Sequence, residues 1–155
     1  ILATPALCTF WFRRISQSAA RYWLAFWTVS FVAFLVHFYW SVFVIFNGDW
    51  SRIFSVTENG HRVSVPIPDT IFTVWWGIDV LLAWLVPTEG GLIRIQRIIV
   101  HVAAIVLFFA GSALEGETTS SKGLGLTMGV AVLISFLIWF TGWLKRRKLT
   151  VPRSP

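Results

Sequence analysis

The sequence predicts an all-α integral membrane protein: a four-transmembrane-helix bundle with an extramembrane β-hairpin in its first loop. Of its 155 residues, 56% are hydrophobic and only 13% are charged, whereas soluble domains carry about 25% charged residues. The hydrophobic residues collect in four long stretches that are nearly free of charge. Lipid is therefore the expected solvent for most of the chain, and no room is left for a separate catalytic domain.

Each hydrophobic stretch is long enough to cross the hydrocarbon core at about 1.5 Å of helix rise per residue. An aromatic and basic N-terminal segment, 1–21, is expected to lie in the headgroup layer, and a cytoplasmic tail is expected at 149–155. The transmembrane domain between them, 22–148, contains four expected spans, at about 22–46, 70–86, 92–114 and 123–144.

The loop between the first two spans, 48–69, carries the hairpin signal. Asn59-Gly60 lies between two segments of alternating β-formers, and this dipeptide favours a two-residue type I′ turn. The turn would pair Glu58 with His61. Pro66 and Pro68 are expected to end the ribbon before the second span begins near residue 70.

Basic residues predict the orientation of the bundle. Only Arg52, Arg62 and Lys122 fall on one predicted side of the membrane. Ten fall on the other: Arg13, Arg14, Arg21, Arg94, Arg97, Lys145, Arg146, Arg147, Lys148 and Arg153. The positive-inside rule then places both termini in the cytoplasm, and the expected location is a bacterial inner membrane, cytoplasmic or intracytoplasmic. Because the charge follows the membrane pattern, no nucleic acid partner is expected.

Few polar side chains are expected at depth in the bilayer, away from the ends of the spans, and the main ones are His37, Asp79 and His101. Helix rise puts Asp79 near the midplane and separates the two histidines by roughly 10 Å in depth. Haem b held by both histidines is therefore disfavoured, while single-histidine ligation of a chlorophyll-type pigment has no such requirement.

Asp79 needs a partner, a proton or a wet cavity, because an isolated charge at that depth costs at least about 2.5 kcal/mol. Its expected donors are His37, His101, deep tryptophan indoles or hydroxyl groups, and asparagine is expected to replace it with little effect. The interfacial position of Trp27 suggests a membrane-belt role instead, and Arg97 is expected to anchor the third span at the interface.

Two further features admit a structural or a functional interpretation. Trp75 and Trp76 stand one turn before Asp79, which suits a flat pigment or a carotenoid as well as ordinary helix packing. Gly125 and Gly129 form a small-xxx-small motif that permits close helix contact.

Motifs for catalysis are missing from the sequence. It contains no HExxH, no paired cysteines, no histidine box and no phosphate-binding glycine loop. The expected function is a non-catalytic accessory or scaffold subunit of a larger membrane complex, photosynthetic or respiratory, in contact with lipids, partner subunits and pigments. The alternative is a haem-, quinone- or proton-handling redox subunit that uses His37, Asp79 and His101.

Overall fold

The computed structural model describes residues 2–45, 47–49, 57–58, 61–62, 66–86, 90–109 and 119–149. These residues form five α-helices: α1 (Ala3–Phe10), α2 (Gln17–Tyr39), α3 (Pro66–Leu85), α4 (Gly91–Phe109) and α5 (Thr119–Leu149). A π-helical segment, Trp40–Ile45, continues α2. Two short strands, β1 (Thr57–Glu58) and β2 (His61–Arg62), pair in antiparallel fashion.

Three segments are long and apolar enough to cross a membrane, as expected for an integral membrane protein: Gln17–Val44, Gly91–Phe109 and Lys122–Arg147. The fourth predicted span corresponds to α3, in which Thr70–Leu85 is apolar but shorter. A bundle of four spans therefore stays a prediction.

The predicted hairpin is described only at its four paired residues. Glu58 lies opposite His61, and Thr57 lies opposite Arg62. The turn at Asn59-Gly60 and the remainder of the ribbon lie outside the described residues, so the hairpin also stays a prediction.

Helix boundaries differ from the predicted ones at α3 and α5. Helix α3 begins at Pro66, whereas the sequence predicted that Pro66 and Pro68 would end a ribbon. Both prolines fall in the first helical turn, where backbone N–H groups have no intrahelical acceptor to lose. Helix α5 runs from Thr119 to Leu149 and includes the basic run that was expected to follow the last span.

Two left-handed residues follow the π-helical segment. Asn47 and Gly48 adopt left-handed conformations, with φ of 51° and 71°. The N–H of Gly48 donates to the carbonyl of Val42 at 2.9 Å, which closes the last turn of the π-helical segment.

The chain forms two compact units. The first combines residues 1–26 with 104–155, and the second comprises 27–103. In the first unit, α1 packs against α5 and buries Ala6, Leu7 and Phe10. In the second unit, α2 and α3 are antiparallel, since Trp27 contacts Asp79 while Phe34 contacts Phe72.

Candidate functional site

Asp79 lies on the buried face of α3 and is fully buried in the second unit. Phe72, Trp76 and Val80 are buried on the same face. Their spacing of four residues follows the helical period, so α3 presents one continuous inward stripe. An ionisable side chain within such a stripe requires polar partners from neighbouring helices.

Both carboxylate oxygens of Asp79 accept a hydrogen bond. The indole Nε1–H of Trp27, on α2, donates to Oδ2 at 2.9 Å. The Nε–H of Arg97, on α4, donates to Oδ1 at 3.2 Å and forms an ion pair. The side chains of Arg97 and Asp79 are 3% and 0% exposed. One carboxylate thus connects three helices.

His101 lies one turn after Arg97 on α4 and completes the group. Its Nδ1–H donates to the carbonyl of Arg97 at 2.8 Å, because a carbonyl can only accept. The imidazole stacks on the indole of Trp27, with ring centroids 4.0 Å apart and an interplanar angle of 21°. We call Trp27, Asp79, Arg97 and His101 the Asp79 cluster.

An aromatic layer packs beside the Asp79 cluster. Trp76 is fully buried at its centre, and its ring lies 4.6 Å from that of Trp27. Three phenylalanine rings surround Trp76 at centroid distances between 5.3 and 5.6 Å: Phe31, Phe34 and Phe72. These rings keep water away from the ion pair, so the environment of the carboxylate is of low polarity.

Gly77 permits the close approach of α2 to α3. A Cβ atom at this position would lie 2.9 Å from Cζ of Phe31, which is closer than a real Cβ contact allows. The glycine therefore leaves space for the Phe31 ring within the aromatic layer. No local sequence pattern distinguishes Gly77 from the other glycines of the chain.

The predicted site residues are only partly brought together. Asp79 and His101 both contact Trp27. His37 is exposed on α2, about 15 Å of helix rise beyond Trp27. Trp76 points into the aromatic layer, whereas Trp75 is half-buried and lines an apolar surface groove with Val74 and Ile78. A cofactor role for these residues stays a prediction.

The partners of Asp79 differ from the expected ones. Arg97 is 2% exposed and lies within the cluster, whereas the sequence suggested an interfacial anchor. Trp27 is fully buried rather than part of a membrane belt. The sequence does contain a pattern that predicts the pairing of Arg97 with Asp79. Each residue lies seven positions from the connection Val86–Gly90. Antiparallel helices bring such residues to one level.

The other predicted packing residues belong to the first unit. Gly125 is buried, and Gly129 is half-buried. A Cβ atom at Gly129 would lie 3.0 Å from two ring atoms of Phe109. The absence of a side chain at Gly129 therefore lets the Phe109 ring lie directly on the α5 backbone.

The Asp79 cluster is chemically suited to helix association. Its carboxylate makes two charge-assisted hydrogen bonds, which are about twice as strong as neutral ones. Within the described parts of the chain, no three His, Cys, Asp or Glu residues lie close enough to hold a metal ion.

Comparison with known proteins gave no relative: no protein-family model, curated protein or solved structure matched the chain.

Proposed function

We propose that the chain is a non-catalytic structural subunit of a larger membrane-embedded complex, of the photosynthetic or respiratory kind. The observation that carries this proposal is the bonding of Asp79. Both of its oxygens accept hydrogen bonds from side chains of the same chain, on two other helices. A carboxylate held in this way serves to associate helices, since breaking a buried ion pair is strongly unfavourable.

The outer faces of the helices support the same proposal. Large apolar side chains on them are exposed, as lipid tails or partner helices would require. Examples are Val36 at 63%, Leu81 at 61%, Leu85 at 75% and Leu133 at 56% exposure. These surfaces offer apolar contact area, and the polar groups of the Asp79 cluster are directed away from them.

Four spans with both termini in the cytoplasm form part of this proposal. The location is a bacterial inner membrane, and the hairpin loop faces outward, where it would cover a partner protein. The uneven distribution of basic residues supports the orientation. The pairing of Glu58 with His61 supports the hairpin.

A redox or proton-handling subunit is the second candidate. One observation favours it: the Nδ1–H of His101 donates to a backbone carbonyl. Metal-ligating histidines commonly make this bond and bind the metal through the other nitrogen. The ring of His101 is nevertheless 1% exposed and is covered on one face by Trp27. A cofactor at the Nε2 atom of His101 would require the packing around this ring to open.

Purification from native membranes in a mild detergent tests the proposal. The protein should migrate on a native gel well above its own 17.6 kDa, with stoichiometric partner subunits. After separation from those partners, its absorption spectrum should contain only the aromatic band. A Soret or chlorin band retained by the isolated chain, and abolished by His101→Phe, would favour the second candidate.

A further inference from the structure

The C-terminal part of α5 carries a ladder of aromatic rings in the first unit. Phe136 stacks on Phe140 at a centroid distance of 5.8 Å, and Trp139 stacks on Trp143 at 6.5 Å. Trp143 also stacks on Phe140 at 5.8 Å. Tryptophan-rich ladders at a helix end are typical of the boundary between hydrocarbon and headgroups.

Arg147 extends this ladder by one turn. Its guanidinium lies over the ring of Trp143, 4.4 Å from the centroid, and its side chain is exposed. Lys145 and Arg146 are exposed beside it. A guanidinium stacked on a ring is held in a fixed plane, which favours bidentate recognition of a phosphate group.

A second arginine–aromatic pair lies near the same part of α5. The ring of Trp11 contacts those of Phe136 and Trp139 at 5.0 and 5.6 Å. Arg13 follows Trp11 by two residues, so the Cα atoms of the two residues lie at most about 7 Å apart.

The guanidinium of Arg13 is also held in place. It lies 3.9 Å from the centroid of Phe10 and 5.4 Å from that of Trp23. Its terminal N–H donates to the carbonyl of Phe10 at 2.9 Å. Both arginines are thus fixed on aromatic rings of the first unit.

We propose that Arg13, Arg147 and the rings that hold them form a binding surface for the headgroups of anionic phospholipids. Charge complementarity identifies the occupant, because the surface combines planar cations with an apolar ladder that continues into a helix apolar enough to span a membrane. A nucleic acid would match the charge but would leave the adjoining apolar helix in water. The inference goes beyond the subunit proposal and requires only membrane insertion.

Native mass spectrometry of the full chain tests this surface. The protein is released from mixed micelles that contain equal amounts of phosphatidylglycerol and phosphatidylcholine, and the retained lipids are counted. The wild type should retain phosphatidylglycerol in preference. Arg13→Gln/Arg147→Gln should lower that preference by about tenfold or more, because each variant position would lose charge-assisted hydrogen bonds to the phosphate group.

Arg21→Gln/Arg94→Gln is the matched control, because it removes the same charge from two exposed arginines for which the described structure gives no ring contact. It should retain most of the preference. Arg147→Lys keeps the charge and loses the planar group. Its preference for phosphatidylglycerol should therefore lie between those of the wild type and the single variant Arg147→Gln.

Three results would overturn the inference. The first is equal retention of both lipids by the wild type. The second is an equal loss in the two double variants, which would reduce the effect to net charge. The third is displacement of the lipid by inorganic phosphate at the same concentration, which would indicate a free-anion site.

Discussion

Arg97 Nε lies 3.2 Å from Asp79 Oδ1, and both residues are seven positions from the connection that joins their helices. The antiparallel arrangement of α3 and α4 therefore brings one acid and one base to the same level. Trp27 donates a hydrogen bond to the second carboxylate oxygen of Asp79. The contributions of Asp79, Arg97 and Trp27 can be tested by separate substitutions.

Asp79→Asn is expected to destabilise the protein, although the sequence alone suggested a mild effect. Asparagine has one side-chain oxygen, so its NH₂ group would face either Trp27 or Arg97, both of which donate. The buried charge of Arg97 would also lose its counterion. The free energy of unfolding in detergent should fall by about 3–5 kcal/mol.

Asp79→Leu/Arg97→Met is the companion variant. It removes both charges and keeps the site apolar, so it should recover most of the stability lost in either single variant. Arg94→Met, one turn earlier and exposed, should change stability by less than about 0.5 kcal/mol. If Arg94→Met and Arg97→Met had equal effects, the ion pair would have no structural role.

Trp27→Phe keeps an aromatic ring against His101 and Trp76 but removes the donor to Asp79. We expect a loss of about 1.5–3 kcal/mol, as for hydrogen bonds to charged groups. Trp84→Phe is the control, since Trp84 donates to Thr28 at 3.1 Å but is 60% exposed. Chemical denaturation followed by circular dichroism measures both, and a larger effect at Trp84 would contradict the account.

Gly77→Ala should destabilise the contact between α2 and α3 by about 1–3 kcal/mol, because the added methyl group would overlap the Phe31 ring. Gly123→Ala is matched to it, since a Cβ atom at Gly123 meets nothing within 4 Å. That change should be neutral or should add up to about 1 kcal/mol through helix propensity. Thermal unfolding of the two variants measures the difference, and equal stability would show that Gly77 is not required for packing.

Membrane topology is tested by single cysteines in a background where Cys8 is replaced by serine. An impermeant maleimide added outside should label position 59, and it should label positions 94 and 145 only after the membrane is permeabilised. This result follows from the uneven distribution of basic residues. External labelling at 94 or 145, without labelling at 59, would reverse the proposed orientation.

The helical fold, with several helices apolar enough to span a membrane, and the need of Asp79 for polar partners could be predicted from the sequence, because charge is costly in hydrocarbon. The partners of Asp79 were harder to predict. Arginine and tryptophan are the usual interfacial residues, so their types pointed Arg97 and Trp27 to the membrane surface. Only the pairing of α3 with α4 shows that Arg97 reaches inward, while Arg94 stays exposed.

The role of Gly77 and the start of α3 could not be predicted from local sequence. The need for glycine depends on the Phe31 ring, which is 46 residues away in the chain, and no local pattern records such a contact. The prolines before α3 suggested an end to regular structure, but the same residues are tolerated in a first helical turn. Local preference could not distinguish these two outcomes.

We propose that the Asp79 cluster associates helices and takes no part in chemistry. The variant Asp79→Leu/Arg97→Met/His101→Phe removes three polar side chains of the cluster. The most direct test is its effect on the electron-transfer or light-driven rate of the proposed complex, per complex assembled. We predict that the assembled variant complex works at the wild-type rate. A complex that assembles normally but has lost its activity would contradict the claim and would assign the cluster to the reaction.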